Sequence, residues 1–491
     1  MEEVTGNNKL IDLAMGSSIS PYYVTQVMAA KPFSPKEVRR ILDSLSRPAV
    51  FLHMTCDWPV LHWTANHLSN CLGQKNIRFR LGEKQATHTP LFETQCSYVE
   101  ASLDQFLCWT SKGTGAEVGF FSGYPLSEYW AYADYKYIAM LFQDQPSMFE
   151  DVLWSDFGYP GRAGRESTLW IGTEGANTPC HQDTYGCNLV LQVQGRKRWT
   201  LFPPEDTACL YPCRIPYEES SVFSLVDVLQ PDLRRFPAFT QARAHTVTLQ
   251  PGQVLYVPRH WWHYVESVDP VTVSVNSWIE LEVDDEARVN EAVTKAVVCA
   301  LKTTPSKDNT DDWLNPTEEG VSSHGENLQC LNLAVQTCLQ RRERSQGAEQ
   351  ERPEPAGGRG AKRDSSGQTR SGGGTTPLTI PFGPHLVPVP ANQDSLPKTK
   401  GLDWEDGAPK SCMANPSKGQ TPRVLSASGE CGSGSDDYGS PGRDCDSGDA
   451  AEALGHAPIT TNDLLECLVH PDVIAHVTEL LLERQNRHNN A

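Results

Sequence analysis

A short stretch at residues 178–183, with the sequence TPCHQD, constrains the fold of this chain more than any other. In an extended strand, side chains two residues apart point to the same face, so His181 and Asp183 can reach one ion while Gln182 turns away. A third ligand, His263, follows a pair of tryptophans much later in the chain. Two histidines and one carboxylate are the ligand set of non-haem Fe(II) oxygenases, because this set leaves coordination positions open. We therefore predict one Fe(II) held by these three side chains.

The residues that follow the motif alternate as strands of a sheet. Residues 188–194 and 197–202 both alternate, and Gly195-Arg196 between them predicts the tight turn of a hairpin. Residues 254–257 form a short apolar run and residues 271–276 alternate cleanly, which predicts two further strands. The pattern predicts a mainly β core.

Helices are predicted on both sides of this core. Residues 33–47 have an apolar face and predict a helix. Ser34, near the start, is a favourable N-cap residue. Residues 77–81 alternate with exposed arginines and predict an edge strand. Residues 283–302 and 326–343 are amphipathic and predict two helices after the core.

The C-terminal part of the chain has a different composition. Residues 346–456 are rich in Gly, Ser, Pro and charge, and are predicted to be disordered because they bury too little to offset the ordering entropy. One apolar island, residues 378–389, is either a docking motif or an unstructured Pro-rich linker, and composition favours the linker. Residues 463–468 and 473–482 are amphipathic. They are predicted to pack on the core, bind a partner or self-associate.

Composition excludes several classes of protein. The formal net charge is −19, from 42 Lys+Arg and 61 Asp+Glu, which disfavours nucleic acid as the main partner although a local basic groove stays possible. No apolar run approaches the roughly 18 residues that a membrane span needs, and the N-terminus lacks a signal layout. The 15 cysteines are scattered without a Cys-x2-Cys pair, which indicates the reduced thiols of a cytoplasmic protein.

Four motifs together resemble the jumonji-C domain. They are TPCHQD at 178–183, GRKR at 195–198, LFPP at 201–204, and the run from Pro-Gly to Trp-Trp-His at 251–263. The resemblance is to the hydroxylase branch that is similar to the asparaginyl hydroxylase called factor inhibiting hypoxia-inducible factor. It implies a double-stranded β-helix, the jelly-roll or cupin-like fold, with flanking helices. The implied activity is Fe(II)- and 2-oxoglutarate-dependent hydroxylation of a protein, in which decarboxylation of 2-oxoglutarate is coupled to C–H hydroxylation.

The resemblance, the composition and the amphipathic patterns together divide the chain into regions. A jumonji-C catalytic domain is expected at 31–300, with its core at 120–285. The other expected regions are an N-terminal segment at 1–30, a helical extension at 301–345, the disordered segment at 346–456 and C-terminal amphipathic helices at 457–491.

The same resemblance assigns roles to single residues. His181, Asp183 and His263 match the iron ligands, while Lys197 and Thr178 match the residues that bind the distal carboxylate of 2-oxoglutarate. Further positions matching polar residues near the co-substrate are Tyr132, Asn188 and Asn276; Tyr135 and Tyr137 are the alternatives to Tyr132 in a stretch crowded with tyrosines.

Other interpretations of these residues and of the whole chain stay open. His263 could be a histidine packed beside tryptophans, and Lys197 could face solvent within a basic hairpin. An alternative function is an adaptor that binds a small heat shock protein through its tail, with a weakly active or inactive core. A third is an oxygenase that modifies RNA. We expect an enzyme.

Overall fold

The computed structural model describes residues 30–84, 89–112, 115–303, 313–318, 320–350, 379–392 and 459–489. The predicted N-terminal segment therefore lies outside the described residues, apart from residue 30. The strands are β1 Ala49–Phe51, β2 Asn76–Glu83, β3 Ser97–Ser102, β4 Tyr129–Tyr137, β5 Thr168–Gly172, β6 Asn177–Asp183, β7 Cys187–Gln194, β8 Lys197–Phe202, β9 Pro212–Glu218, β10 Ser221–Ser224, β11 His245–Leu249, β12 Val254–Val257, β13 Trp262–Ser267, β14 Thr272–Ile279 and β15 Leu386–Pro388. The helices are α1 Pro35–Ser44, α2 Ala65–Leu72, α3 Leu103–Thr110, α4 Ile138–Leu141, α5 Asp285–Lys302, α6 His324–Gln350, α7 Thr461–Leu468 and α8 Pro471–Asn489.

The strands form two antiparallel sheets. The larger sheet has the order β15-β1-β12-β7-β14-β5-β4-β2-β3, and the smaller has the order β11-β8-β13-β6-β10-β9. Most neighbouring strands in the two sheets are not consecutive in the chain, as expected for a jelly roll, and the predicted mainly β fold with flanking helices is confirmed.

Helix α1 shows how the flanking helices are fixed. The Ser34 hydroxyl accepts from the Glu37 backbone N–H, and the Glu37 carboxylate accepts from the Ser34 N–H, which is a complete capping box. Val38, Ile41 and Leu42 are buried in the main hydrophobic cluster against the larger sheet. The predicted helix and its cap are confirmed, although the helix is shorter than residues 33–47.

The predicted hairpin at Gly195-Arg196 is wrong. β7 pairs with β12 and β14 in the larger sheet, whereas β8 pairs with β11 and β13 in the smaller one. The two-residue connection therefore crosses from one sheet to the other. Gly195 has a φ of +63°, and a Cβ there would lie 2.5 Å from the Val271 carbonyl oxygen. A hairpin and a crossing give the same alternation in both strands, so the sequence pattern does not separate them.

The prediction of an edge strand at 77–81 is also wrong. β2 lies between β3 and β4, and β3 is the outermost strand. The arginine that suggested an exposed face, Arg80, is fully buried, and its Nε donates to Asp134 at 2.6 Å. A buried partner thus removes the need for solvent at this position.

Part of the apolar island is folded, so the linker interpretation is wrong for residues 386–388. β15 extends the larger sheet beside β1, with Leu386 opposite Phe51. Leu386 and Val389 are buried. At its far end the segment reaches the smaller sheet, where the Asn392 N–H donates to the Ala244 carbonyl at 2.8 Å. The island docks onto the chain itself.

The C-terminal helices pack back on the core. α5, α6 and α8 share one apolar cluster, to which Val293, Leu339 and Ile474 belong. α7 lies against β9, where the Glu466 carboxylate accepts from the Ile215 N–H at 3.0 Å. Among the described residues, no helix is both long enough and apolar enough to cross a membrane.

Candidate metal centre

The three predicted ligands converge at the join of β6 and β13. His181 lies directly opposite His263 in the register of these strands, and the centroids of the two imidazole rings are 4.1 Å apart. One ligand atom from each of His181, Asp183 and His263 lies within 4.8 Å of the others. Within the described part of the chain, this is the one group of three or more His, Cys, Asp or Glu residues with such spacing.

Backbone carbonyls orient both imidazoles. His181 Nδ1 lies 2.9 Å from the Pro179 carbonyl oxygen, and His263 Nδ1 lies 3.0 Å from that of Trp261. A carbonyl can only accept, so each Nδ1 carries the proton and each Nε2 presents a lone pair. The Nε2 atoms of His181 and His263 lie 3.7 Å and 4.0 Å from the Asp183 carboxylate oxygens. This carbonyl–imidazole arrangement is typical of metal ligands.

The surroundings keep this donor set ready for a cation. Burial and the neighbouring His263 together lower the pKa of His181 to about 4, so His181 is neutral at pH 7. Metal binding needs a neutral imidazole. Asp183 Oδ2 accepts from Trp278 Nε1 at 3.1 Å, which fixes the carboxylate. The residues present therefore fit a divalent metal ion.

A second feature of the cavity beside the histidines is a buried lysine. Lys197 is 2% exposed, so the interpretation of a solvent-facing lysine is wrong. Its Nζ donates to the Tyr132 hydroxyl at 3.0 Å and to the Ser274 hydroxyl at 2.8 Å, both neutral partners. Burial lowers the pKa of Lys197 to about 7, and Asp134 only partly offsets this. No carboxylate among the described residues forms an ion pair with it, so the cavity offers a cation to an anionic ligand.

The other predicted residues also lie in this cavity. Thr178 is buried and hydrogen-bonds Tyr132. Asn276 Nδ2 donates to Asn188 Oδ1 at 2.9 Å. Of the tyrosine alternatives, Tyr132 is 2% exposed and bonded to Lys197, Tyr135 also lines the cavity, and Tyr137 is 54% exposed. The structure thus brings the predicted residues together, while their ligand-binding roles remain predictions.

Sequence reasoning missed several residues that line the cavity. Ser274 and Trp199 lie two residues from Asn276 and Lys197 on the same strands, so their side chains share the inward face. The alternation was therefore the signal that could have found them. Further missed lining residues are Trp170, Val190, Val265 and Trp278.

A wider cleft of about 730 Å³ adjoins the cavity and contains Asp183. Tyr135 and Trp278 line both spaces, so the cleft gives access to the ligand side chains. Its carboxylates are Glu93, Asp134, Asp183, Glu218, Glu219, Glu280 and Glu318, and its cations are Arg78, Lys136 and Arg288. Two of the buried carboxylates, Glu93 and Glu218, both accept from the side-chain amide of Asn315.

Comparison with known proteins agrees with this fold and site. The family described as Cupin-like domain matches residues 35–285. The chain is 57% identical over 466 residues to the HSPB1-associated protein 1 homolog of Danio rerio, covering 93% of this chain and 99% of that protein. It is 48% identical over 483 residues to HSPB1-associated protein 1 of Homo sapiens, covering 92% and 94%. It is 29% identical over 241 residues to lysine-specific demethylase 8 of Xenopus tropicalis, covering 47% and 48%.

The chain belongs to the cupin-like domain family and, within it, to the family of HSPB1-associated protein 1 relatives. The jumonji-C resemblance and the cupin-like fold drawn from the sequence motifs are confirmed.

Proposed function

We propose that this protein is an Fe(II)- and 2-oxoglutarate-dependent oxygenase that hydroxylates a protein substrate. One observation carries the proposal: both histidines of the His–Asp–His group line the same cavity as a buried lysine that has no carboxylate partner among the described residues. A metal ion satisfies the first and a dicarboxylate satisfies the second. Few ligands other than iron with 2-oxoglutarate need both.

The residues of the chain would divide the work as follows. His181, Asp183 and His263 would hold Fe(II), which, when bound with 2-oxoglutarate and oxygen, supplies the oxidising chemistry for C–H hydroxylation. Lys197 and Thr178 would bind and orient the distal carboxylate. Tyr132 would hold Lys197 in place through its hydroxyl. The hydrogen-bonded amides of Asn188 and Asn276 would support the same cavity. The burial of these groups would exclude water and strengthen each polar contact.

The cleft favours a protein over RNA as the substrate. Seven carboxylates and three cations line it, and RNA binding depends on cations that neutralise phosphates. A polypeptide carries both basic and acidic side chains, which can pair with the carboxylates and the cations of the cleft. We therefore do not favour the RNA-modifying alternative.

The test uses purified full-length protein with Fe(II), ascorbate and 2-oxoglutarate. We expect one bound Fe(II) per chain and succinate formation, both lost in His181→Ala and Asp183→Ala. Matched control variants are His62→Ala and Asp144→Ala, which change exposed residues outside the site. Iron binding that survives both ligand substitutions, or no succinate with any substrate, would rule the proposal out.

The substrate would be found by trapping. An Asp183→Ala variant would be used to capture cytoplasmic proteins, and the wild-type protein would then be added to each captured protein. A product heavier by about 16 Da, the mass of one oxygen atom, identifies a substrate.

A second candidate function is an adaptor for a small heat shock protein. It is favoured by the names of relatives up to 57% identical, which describe association with HSPB1. Truncation at residue 345 is a poor test, because it removes β15, α7 and α8, which pack on the core. Deleting residues 393–457 spares those elements. If the deletion abolishes co-purification with HSPB1 but leaves iron binding intact, the adaptor role resides in that segment.

A further inference from the structure

One side chain that lines the cavity has a buried donor with no partner among the described residues. The indole of Trp199 lines the cavity together with Lys197, Thr178 and both histidines, and its side chain is only 5% exposed. Its Nε1–H is buried and reaches no acceptor among the described residues. An unpaired buried donor costs free energy, and native structures rarely keep one without a reason.

The position of Trp199 on β8 indicates what it would meet. Lys197, Trp199 and Leu201 point to the same face of this strand. Leu201 lies opposite the metal ligand His263 on β13, so Trp199 lies between Lys197 and the metal centre along β8. The rings of Trp199 and His263 are nearly parallel, at 26°, with centroids 5.8 Å apart. A ligand that spans from the lysine to the metal would therefore run beside this indole.

The chemistry of the cavity restricts that ligand to an acceptor. An indole N–H can donate but not accept, and the ammonium of Lys197 also only donates. We propose that Trp199 Nε1–H donates a hydrogen bond to a carboxylate oxygen of 2-oxoglutarate, which makes it a binding residue for the co-substrate. This inference rests on the function proposed above. It adds a hydrogen bond to one of the two carboxylates of the co-substrate.

The first test follows the indole proton directly. The protein would be labelled with ¹⁵N and loaded with diamagnetic Zn(II), and the indole signal missing from Trp199→Phe would be assigned to Trp199. We expect that signal to move downfield when 2-oxoglutarate is added, because a carboxylate acceptor deshields the donor proton. The indole of Trp109, which already donates to the Tyr124 carbonyl at 2.8 Å, is the internal control and should not move.

The second test measures affinity. In the Zn(II)-loaded protein, Trp199→Phe should bind 2-oxoglutarate about ten-fold more weakly by calorimetry, since hydrogen bonds to charged groups are the stronger ones. Trp109→Phe, which loses a buried indole outside the cavity, should bind like the wild type. If Trp199→Phe fails to fold, 3-benzothienylalanine placed only at position 199 keeps the ring shape and removes the N–H.

The outcomes separate the two proposals. Wild-type protein that binds 2-oxoglutarate with an unmoved Trp199 signal, or with equal affinity in the variants, overturns the role of Trp199 and leaves the oxygenase standing. In that case the N–H faces a water molecule. Wild-type protein that binds no 2-oxoglutarate at all overturns both.

Discussion

Two buried cations of this protein, Arg214 and Lys197, differ in whether a carboxylate lies beside them. Arg214, on β9, is 7% exposed and donates to both carboxylate oxygens of Glu291 on α5, at 2.6 Å and 2.8 Å. Burial acts to lower the pKa of Arg214, but Glu291 raises it above its ordinary value. Lys197, inside the barrel, is 2% exposed, and its partners within the described part of the chain are neutral hydroxyls. Burial lowers the pKa of Lys197 to about 7.

The difference indicates that Arg214 serves the fold, whereas Lys197 serves a ligand. The Arg214–Glu291 pair closes the joint between the smaller sheet and the C-terminal helices, so the chain supplies both charges itself. The cavity around Lys197 supplies only one charge, and the missing carboxylate is what we assign to 2-oxoglutarate. A buried cation that the chain does not pair with a carboxylate therefore marks this cavity as a candidate ligand site.

The largest expected effect is at the structural pair. Glu291→Ala leaves the Arg214 guanidinium buried and unpaired and should lower the free energy of unfolding by about 3–5 kcal/mol. Urea unfolding measures it. The control is Glu286→Ala, which breaks the exposed pair with Arg342 and should cost no more than about 1 kcal/mol. Equal losses in the two variants would contradict the structural role of the buried pair.

Lys197→Met should lower the affinity for ligand and spare the stability of the fold, in contrast to Glu291→Ala. Because no described residue pairs Lys197 with an anion, the protein without ligand should keep its free energy of unfolding or gain about 1 kcal/mol. The affinity for 2-oxoglutarate should fall at least about a hundred-fold, since a charged hydrogen-bonded contact is lost. Urea unfolding and calorimetry measure the two quantities. A strongly destabilised variant would mean that Lys197 serves the fold instead.

A smaller effect is expected beside the metal ligands. Trp278→Phe removes the donor to Asp183 Oδ2 and should weaken metal binding about ten-fold, as is usual for partners of metal ligands. Competition for Co(II) between the protein and a chromogenic chelator measures the metal affinity. Trp63→Phe, which loses a donor to Asp151 away from the site, should leave the metal affinity unchanged.

The pH dependence of 2-oxoglutarate binding should be the most graded effect. The pKa of Lys197 is about 7 in the free protein, and a bound carboxylate raises it. Affinity should therefore be flat below pH 7 and fall by up to about ten-fold per pH unit above it, with proton uptake on binding. Calorimetry in buffers of different ionisation enthalpy measures both. An affinity independent of pH between 7 and 9 would show that Lys197 does not titrate on binding.

Much of the metal centre was predictable because it depends on local rules. The alternation of β6 places His181 and Asp183 on one face whatever the sheet around them. The cap at Ser34 is local in the same sense. The partner of His263 required the resemblance, since no local pattern shows that β13 lies beside β6.

Features that depend on pairing between distant strands escaped prediction. The alternation of β7 and β8 is the same in a hairpin and in a crossing between sheets. The sequence around Gly195 therefore did not show that the two strands belong to different sheets. Arg80 looks exposed in sequence because its partner, Asp134, is far away in the chain. Leu386 pairs with β1 across more than half of the chain, which composition alone could not indicate.

The most direct test is anomalous diffraction from crystals grown with Mn(II) and 2-oxoglutarate. We predict one metal peak between the Nε2 atoms of His181 and His263 and the Asp183 carboxylate, with a dicarboxylate that reaches from the metal to Lys197 Nζ. A metal bound elsewhere, or a dicarboxylate that leaves Lys197 without an acidic partner, would contradict the assignment of this cavity.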